Sequence, residues 1–247
     1  GVPMNRLLQG DVGSGKTVVA GAAVYQASLA GFQTAFMAPT EILATQHAET
    51  LTTLLSPHGL SVALLTGSVK GKARTELLAR VAEGSVDILV GTHALFQPNV
   101  IFHKLGFAII DEQHRFGVKQ RQELLAKGSD HHTMPHLLSM TATPIPRSLQ
   151  LTLFGDLDIS IINQLPKGRK PITTEIVSPN SRAQMNDKIR AELESGRQAY
   201  FIAPLVEDSS LTDQQSVTSL AKKVMTDFKG YRVEILHGKM NGESKDA

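Results

Sequence analysis

The octapeptide Gly10-Asp11-Val12-Gly13-Ser14-Gly15-Lys16-Thr17 constrains this chain more than any other stretch. It satisfies G-x-x-x-x-G-K-[ST] between an apolar run, Met4–Gln9, and a segment of helical period, Thr17–Ala30. Glycines at these spacings let the backbone curl so that successive N–H groups point inward at phosphate oxygens. The N-terminus of the following helix reinforces the pull on an anion. Lys16 then reaches the β- and γ-phosphates of ATP, and the Thr17 hydroxyl ligates Mg2+. A strand–loop–helix of this kind belongs to the α/β class, a parallel sheet flanked by helices.

The pattern continues along the chain. Short apolar runs at Gln33–Ala38, Ser61–Leu65, Asp87–Val90, Phe107–Asp111 and Leu137–Met140 predict strands. Segments of helical period at Glu41–Leu55, Gly71–Glu83, Val118–Ala126 and Ile145–Phe154 predict helices between and after them. With 247 residues, 41% of them hydrophobic, the chain can bury a large core and is not a disordered sequence. Its net charge of +2 spreads no global positive field, so a polyanion has to be met by local clusters. The absence of cysteine excludes a disulfide scaffold, a Cys-ligated zinc and a thiol nucleophile. No run of 18 apolar residues and no signal-peptide anatomy occur, so the chain reads as soluble and cytoplasmic, with no membrane partner.

Leu165-Pro166-Lys167-Gly168-Arg169-Lys170-Pro171 interrupts the alternation, since two prolines and a glycine suit neither a helix nor a central strand. Residues 1–164 therefore read as one domain, 165–171 as a linker and 172–247 as a second unit. In that unit strands are predicted at Ile172–Val177, Gln198–Ala203 and Arg232–Leu236, with helices at Arg182–Glu194 and Ser216–Asp227. Three strands and two helices cannot cover both faces of a parallel sheet, so this unit reads as incomplete.

A phosphate loop works with acids on a neighbouring strand. Phe107-Ala108-Ile109-Ile110-Asp111-Glu112-Gln113-His114 is an apolar run ending in two of them. Asp111 is placed to hold Mg2+ through its water shell and Glu112 to polarise the attacking water. Thr141 and Thr143 follow another apolar run and precede Pro144-Ile145-Pro146-Arg147. Their hydroxyls can bond the acids or His114, and the same residues equally suit a capped turn before a helix.

Taken together, these blocks resemble superfamily 2 helicases, and within them the RecG family. The resemblance rests on Gln9–Thr17, Ala38-Pro39-Thr40-Glu41-Ile42-Leu43-Ala44, Leu65-Thr66-Gly67-Ser68, Gly91-Thr92-His93-Ala94-Leu95, Asp111–Val118, Thr141–Arg147 and Gly155-Asp156-Leu157-Asp158. Transcription–repair coupling factors share Thr141–Arg147 but carry Glu where Gln113 stands. The resemblance implies two RecA-like domains and an ATP-dependent motor on forked or branched DNA, serving replication-fork repair and recombination. It assigns ATP and Mg2+ to Gly10–Thr17, Asp111 and Glu112, and coupling of hydrolysis to movement to Gln113, His114, Thr141 and Thr143. It assigns DNA-backbone contacts to Pro39, Thr40, Thr66, Gly67, Gly91, Thr92 and His93. Strand-exit glycines and hydroxyls can donate to phosphates without reading bases, although Gly, Thr and Ser are also ordinary turn residues.

The family also has a wedge region that recognises the branch point, and later second-domain motifs with arginines that reach the γ-phosphate. Neither is present in this sequence, so the chain reads as a motor-region fragment whose partners include those missing parts. As such it is either a hydrolysing motor or an ATP- and DNA-binding module with negligible turnover. His131, His132 and His136, with His103 and His114 elsewhere, could suggest a metal site, but the first three read as a polar loop and no carboxylate pattern or Cys completes a ligand set. Lys70, Lys72 and Arg74 suit either added phosphate contacts or a solvated first turn. With 5% aromatics and no Trp, base stacking is not the main mode of binding DNA.

Overall fold

Seven short runs pair side by side in one parallel sheet. They are β1 (Asn5–Gly10), β2 (Gln33–Met37), β3 (Val62–Leu65), β4 (Ile88–Gly91), β5 (Leu105–Asp111), β6 (His136–Thr141) and β7 (Asp158–Ile162). The order across the sheet is β3-β4-β2-β5-β6-β1-β7. The structure, a computed structural model, describes residues 2–112, 123–128, 134–143, 157–164, 172–204, 216–238 and 240. The expected linker 165–171 and helix 145–154, along with Gln113 and His114, lie outside the described residues.

Side chains alternate across the strands, and the two faces bury separate clusters. Ala35, Met37, Leu89, Ala108 and Ile110 face one side, where Val81 of α3 (Gly71–Ala82) and Leu124 cover them. Phe36, Ala38, Ile88, Val90, Phe107 and Ile109 face the other side. There α1 (Lys16–Leu29) supplies Ala20 and Val24, and α2 (Glu41–Leu55) supplies Ala44, Ala48, Leu51 and Leu55. Spacings of three and four put the α2 set on one stripe. Each large side chain sealed in this way, such as Leu51 or Ile109, contributes about 1.5–3 kcal/mol relative to exposure.

α2 starts where the sequence expects. Thr40 is extended, and its side-chain oxygen accepts from the Leu43 amide at 3.3 Å, a threonine N-cap. Glu41 then places an acid in the first turn, where the helix dipole favours it.

β7 is an addition to the sequence reading. It pairs with the far side of β1, from Arg6 opposite Asp158 to Gly10 opposite Ile162. Arg6 secures the pairing, donating to Ser160 Oγ at 2.8 Å and Asp158 Oδ2 at 3.1 Å.

Contacts divide the chain into two units, Gly1–Lys170 and Pro171–Ala247. In the second, α4 (Arg182–Glu194) and α5 (Val217–Asp227) form as the periodicity predicts. Ser216 caps α5 in a reciprocal box with Ser219. Arg190 joins the two helices, donating to the Asp227 carbonyl at 2.8 Å with its guanidinium over the Phe228 ring. The three strands predicted here are corrected: 172–177, 198–203 and 232–236 form no ladder among the described residues. A strand exists only through a neighbour's hydrogen bonds, and no described residue of this unit supplies one. Ile172, Ile176, Tyr200, Ile202 and Leu236 are correspondingly exposed.

Candidate active site

Every parallel strand delivers its carboxyl end to the same edge of the sheet, and the strand order sorts what arrives there. β1, β6 and β5 are neighbours and bring the loop 10–17, Thr141 and the Asp111–Glu112 pair together. β3, β4 and β2 are neighbours on the other half and bring Thr66–Gly67, Gly91–His93 and Pro39–Thr40. Five strand steps separate β1 from β3, roughly 24 Å at the usual spacing.

The loop after β1 has the shape its glycines allow. Gly13 and Gly15 take φ of 75° and 96°, left-handed values that a Cβ disfavours. The Ser14 amide donates to the Asp11 carbonyl at 3.1 Å, and the Val12 amide to Asp11 Oδ1 at 2.7 Å. Lys16, the first residue of α1, folds back over the loop. Its Nζ donates to the Gly10 and Asp11 carbonyls at 2.7 and 3.0 Å. Ser14 Oγ is buried with no hydrogen-bond partner among the described residues. Such a group calls for a ligand oxygen or a water.

Asp111 ends β5 and is 7% exposed. His47, on α2, meets it with Nε2 2.8 Å from Oδ2. Glu112 follows with φ of 49°, the positive-φ non-glycine residue of the described chain. That turn swings its carboxylate toward β6. Register explains the encounter, since Asp111 lies opposite Met140 and the next step meets Thr141 and Ala142. Oε1 accepts from the Ala142 amide at 3.3 Å, and Oε2 lies 3.5 Å from Thr141 Oγ1. Thr141 in turn lies opposite Gln9 of β1, so β6 bridges the acids and the phosphate loop. The Thr143 amide donates to Thr141 Oγ1 at 3.1 Å. The donors that could hold a phosphate chain and a hard divalent cation are therefore adjacent: loop amides, Lys16, Thr17 and the Asp111 carboxylate.

On the other half, Thr40, Gly67 and His93 are exposed, Pro39 and Thr92 half-buried, and Thr66 and Gly91 buried. Thr66 Oγ1 lies 2.6 Å from Ser68 Oγ, turned away from solvent. Gly91 sits between β2 and β3, where a Cβ would run into the Leu65 carbonyl. The Gly67 amide donates to Glu41 Oε1 at 2.8 Å. Glu41 and His47 carry no site assignment in the sequence reading. His47 was legible as a polar residue on the buried stripe of α2, whereas the Glu41 contact depends on a loop path that no local pattern encodes. His136, outside both halves, accepts the Met4 amide on Nδ1 at 2.8 Å and anchors the start of β1; His131 and His132 lie outside the described residues.

The DEAD/DEAH box helicase family profile matches residues 3–152, more than half of the chain. The chain belongs to the DEAD/DEAH box helicase family. Within that family it is similar to proteins named ATP-dependent DNA helicase RecG. The Staphylococcus epidermidis (strain ATCC 12228) protein is 52% identical over 246 residues, covering 99% of this chain and 35% of that protein. The Bacillus subtilis protein is 52% identical over 244 residues, with 98% and 35% covered. The chain thus spans about a third of the length of these relatives. Among solved structures, RecG bound to a three-way DNA junction superposes with a TM-score of 0.72 at 40% identity, over 92% of this chain and 29% of that one. The DUF1998 helicase MrfA shares the fold, with a TM-score of 0.61 at 19% identity. For a DEAD/DEAH box helicase, acids and a phosphate loop at one sheet edge are the parts that ATP hydrolysis requires.

Proposed function

We propose that this chain is the motor portion of a RecG-type translocase, coupling Mg-ATP hydrolysis to movement on forked or branched DNA. The observation that carries this reading is the convergence on one sheet edge of Lys16, Asp111, Glu112 and Thr141. Lys16 exchanges the Gly10 and Asp11 carbonyls for β- and γ-phosphate oxygens. Thr17 and Asp111 would hold the magnesium, and Ser14 Oγ, without a partner among the described residues, would gain one. When bound, the ion neutralises charge that builds on the transferred phosphoryl group. Glu112 orients the attacking water and takes its proton, with its carboxylate steadied by the Ala142 amide. Thr141 touches both this acid and the loop strand, which suits a role in passing the state of the nucleotide onward.

The β3-β4-β2 half of the edge supplies backbone contacts to DNA from Thr40, Gly67, Thr92 and His93. The Gly67 amide already holds a carboxylate oxygen, that of Glu41, in a place a phosphate oxygen can take. Parallel measurements of ATP hydrolysis with and without a three-way DNA junction test the proposal. DNA-stimulated hydrolysis that disappears in Lys16→Ala supports it. Nucleotide and DNA binding with no turnover under any DNA support the binding-module reading instead.

A further inference from the structure

Asp111 has a buried partner that the hydrolytic scheme leaves without a task. His47 Nε2 lies 2.8 Å from Asp111 Oδ2, and the two side chains are only 14% and 11% exposed. A carboxylate only accepts, so Nε2 carries the proton and donates it. Two periodicities build the contact. Along β5, Phe107, Ile109 and Asp111 alternate onto the face that α1 and α2 cover. Along α2, His47 comes three residues after the buried Ala44 and falls on the same stripe as Leu51 and Leu55. The imidazole leans on the Phe36 ring, with centroids 4.7 Å apart. A polar ring on an apolar helix face is costly to bury without a hydrogen bond. Here the hydrogen bond goes to the acid that ends β5.

We propose that His47 is a positioning residue for the magnesium site: by donating to Oδ2 it sets the orientation in which the Asp111 carboxylate meets the ion. The proposal rests on reading Asp111 as the metal carboxylate. Groups that orient a metal-holding side chain from behind typically change metal affinity by 10–100-fold, and an acid acting through the ion's water shell belongs at the lower end.

The test titrates Mg2+ against binding of a fluorescent ATP analogue to the 247-residue chain, so that binding rather than turnover is read. His47→Phe keeps a ring against Phe36 and removes the donor, whereas His47→Gln restores an N–H of similar reach. His47→Phe is expected to raise the Mg2+ concentration for half-saturation about tenfold. Metal-free nucleotide binding should be unchanged, and His47→Gln should recover most of the loss. An unchanged magnesium midpoint in His47→Phe overturns the proposal. So does an equal weakening of metal-free and metal-dependent binding, the mark of a merely structural role. Asp111→Asn, measured alongside, separates the two levels. If it too leaves the midpoint unmoved, the reading of Asp111 fails and takes the His47 proposal with it. If it shifts the midpoint and His47→Phe does not, only the His47 proposal fails. Should His47→Phe lose its cooperative melt, His47→Asn, whose shorter amide falls short of Oδ2, replaces it.

Discussion

Glu112 adopts φ of 49°, a left-handed conformation that costs a residue with a Cβ about 1–2 kcal/mol. Strain at a strand exit persists where surrounding contacts over-determine it, and here the Ala142 amide and Thr141 hydroxyl receive the carboxylate. Glu112→Gln keeps size and hydrogen bonding but cannot act as a base. It should preserve Mg-ATP binding while lowering hydrolysis by about 10²–10⁴-fold. Asp111→Ala should instead weaken binding that depends on magnesium. Equal loss of binding in both variants, read by calorimetry, contradicts this division of roles. Glu41 yields a prediction of opposite sign, because its carboxylate occupies the Gly67 amide. Glu41→Gln removes a negative charge from the proposed path of the DNA backbone and should tighten DNA binding on the order of fivefold at low salt, an advantage that salt erases. Weaker binding in this variant identifies Glu41 as a brace for the loop rather than a competitor of phosphate.

Among the elements, β1, β2 and α2 were legible because a phosphate loop, a short apolar run and a segment of helical period each carry their own local signal. β7 was not. Asp158-Ile159-Ser160-Ile161-Ile162 is short, and among the described residues its pairing with β1 and the Arg6 contacts make it a strand. The same dependence on neighbours explains 172–177, 198–203 and 232–236, which have the composition of strands and no ladder among the described residues of the second unit. At the amino end of the sheet, Gln33 ties three elements together. Its Nε2 donates to the Val81 and Val86 carbonyls at 3.0 and 2.8 Å, and its Oε1 accepts the Lys104 amide at 2.9 Å. Nothing in the sequence marks Gln33 as a clamp, because its partners lie in three separate segments. Gln33→Ala takes the side-chain partner from the Val86 carbonyl and the Lys104 amide, while the Val81 carbonyl keeps the Gly84 amide at 3.1 Å, and should cost about 1–3 kcal/mol. A urea midpoint close to that of the unaltered chain would show that water replaces the amide.

For the whole molecule, the α/β class and the presence of acids at the end of a strand beside a phosphate loop were readable in sequence, whereas the sorting of the sheet edge was not. It follows from the order β3-β4-β2-β5-β6-β1-β7, which long-range pairing decides. With a net charge of only +2, the proposed binding to DNA depends on local contacts such as those assigned to that half-edge. Affinity should fall linearly with salt on a log–log plot, by about 0.7–0.9 in slope for each phosphate met, and depend little on base sequence. A strong sequence preference that salt does not weaken would contradict backbone recognition.

Hydrogen–deuterium exchange, with nucleotide and DNA added separately, tests the division of the edge most directly. Mg-ATP analogue should slow exchange at 10–19, 111–112 and 141–143. A DNA junction should slow it at 39–41, 66–69 and 91–96. Protection by DNA confined to the amino end of the sheet, or by nucleotide at 66–69 and 91–96 but not at 10–19, would contradict the account.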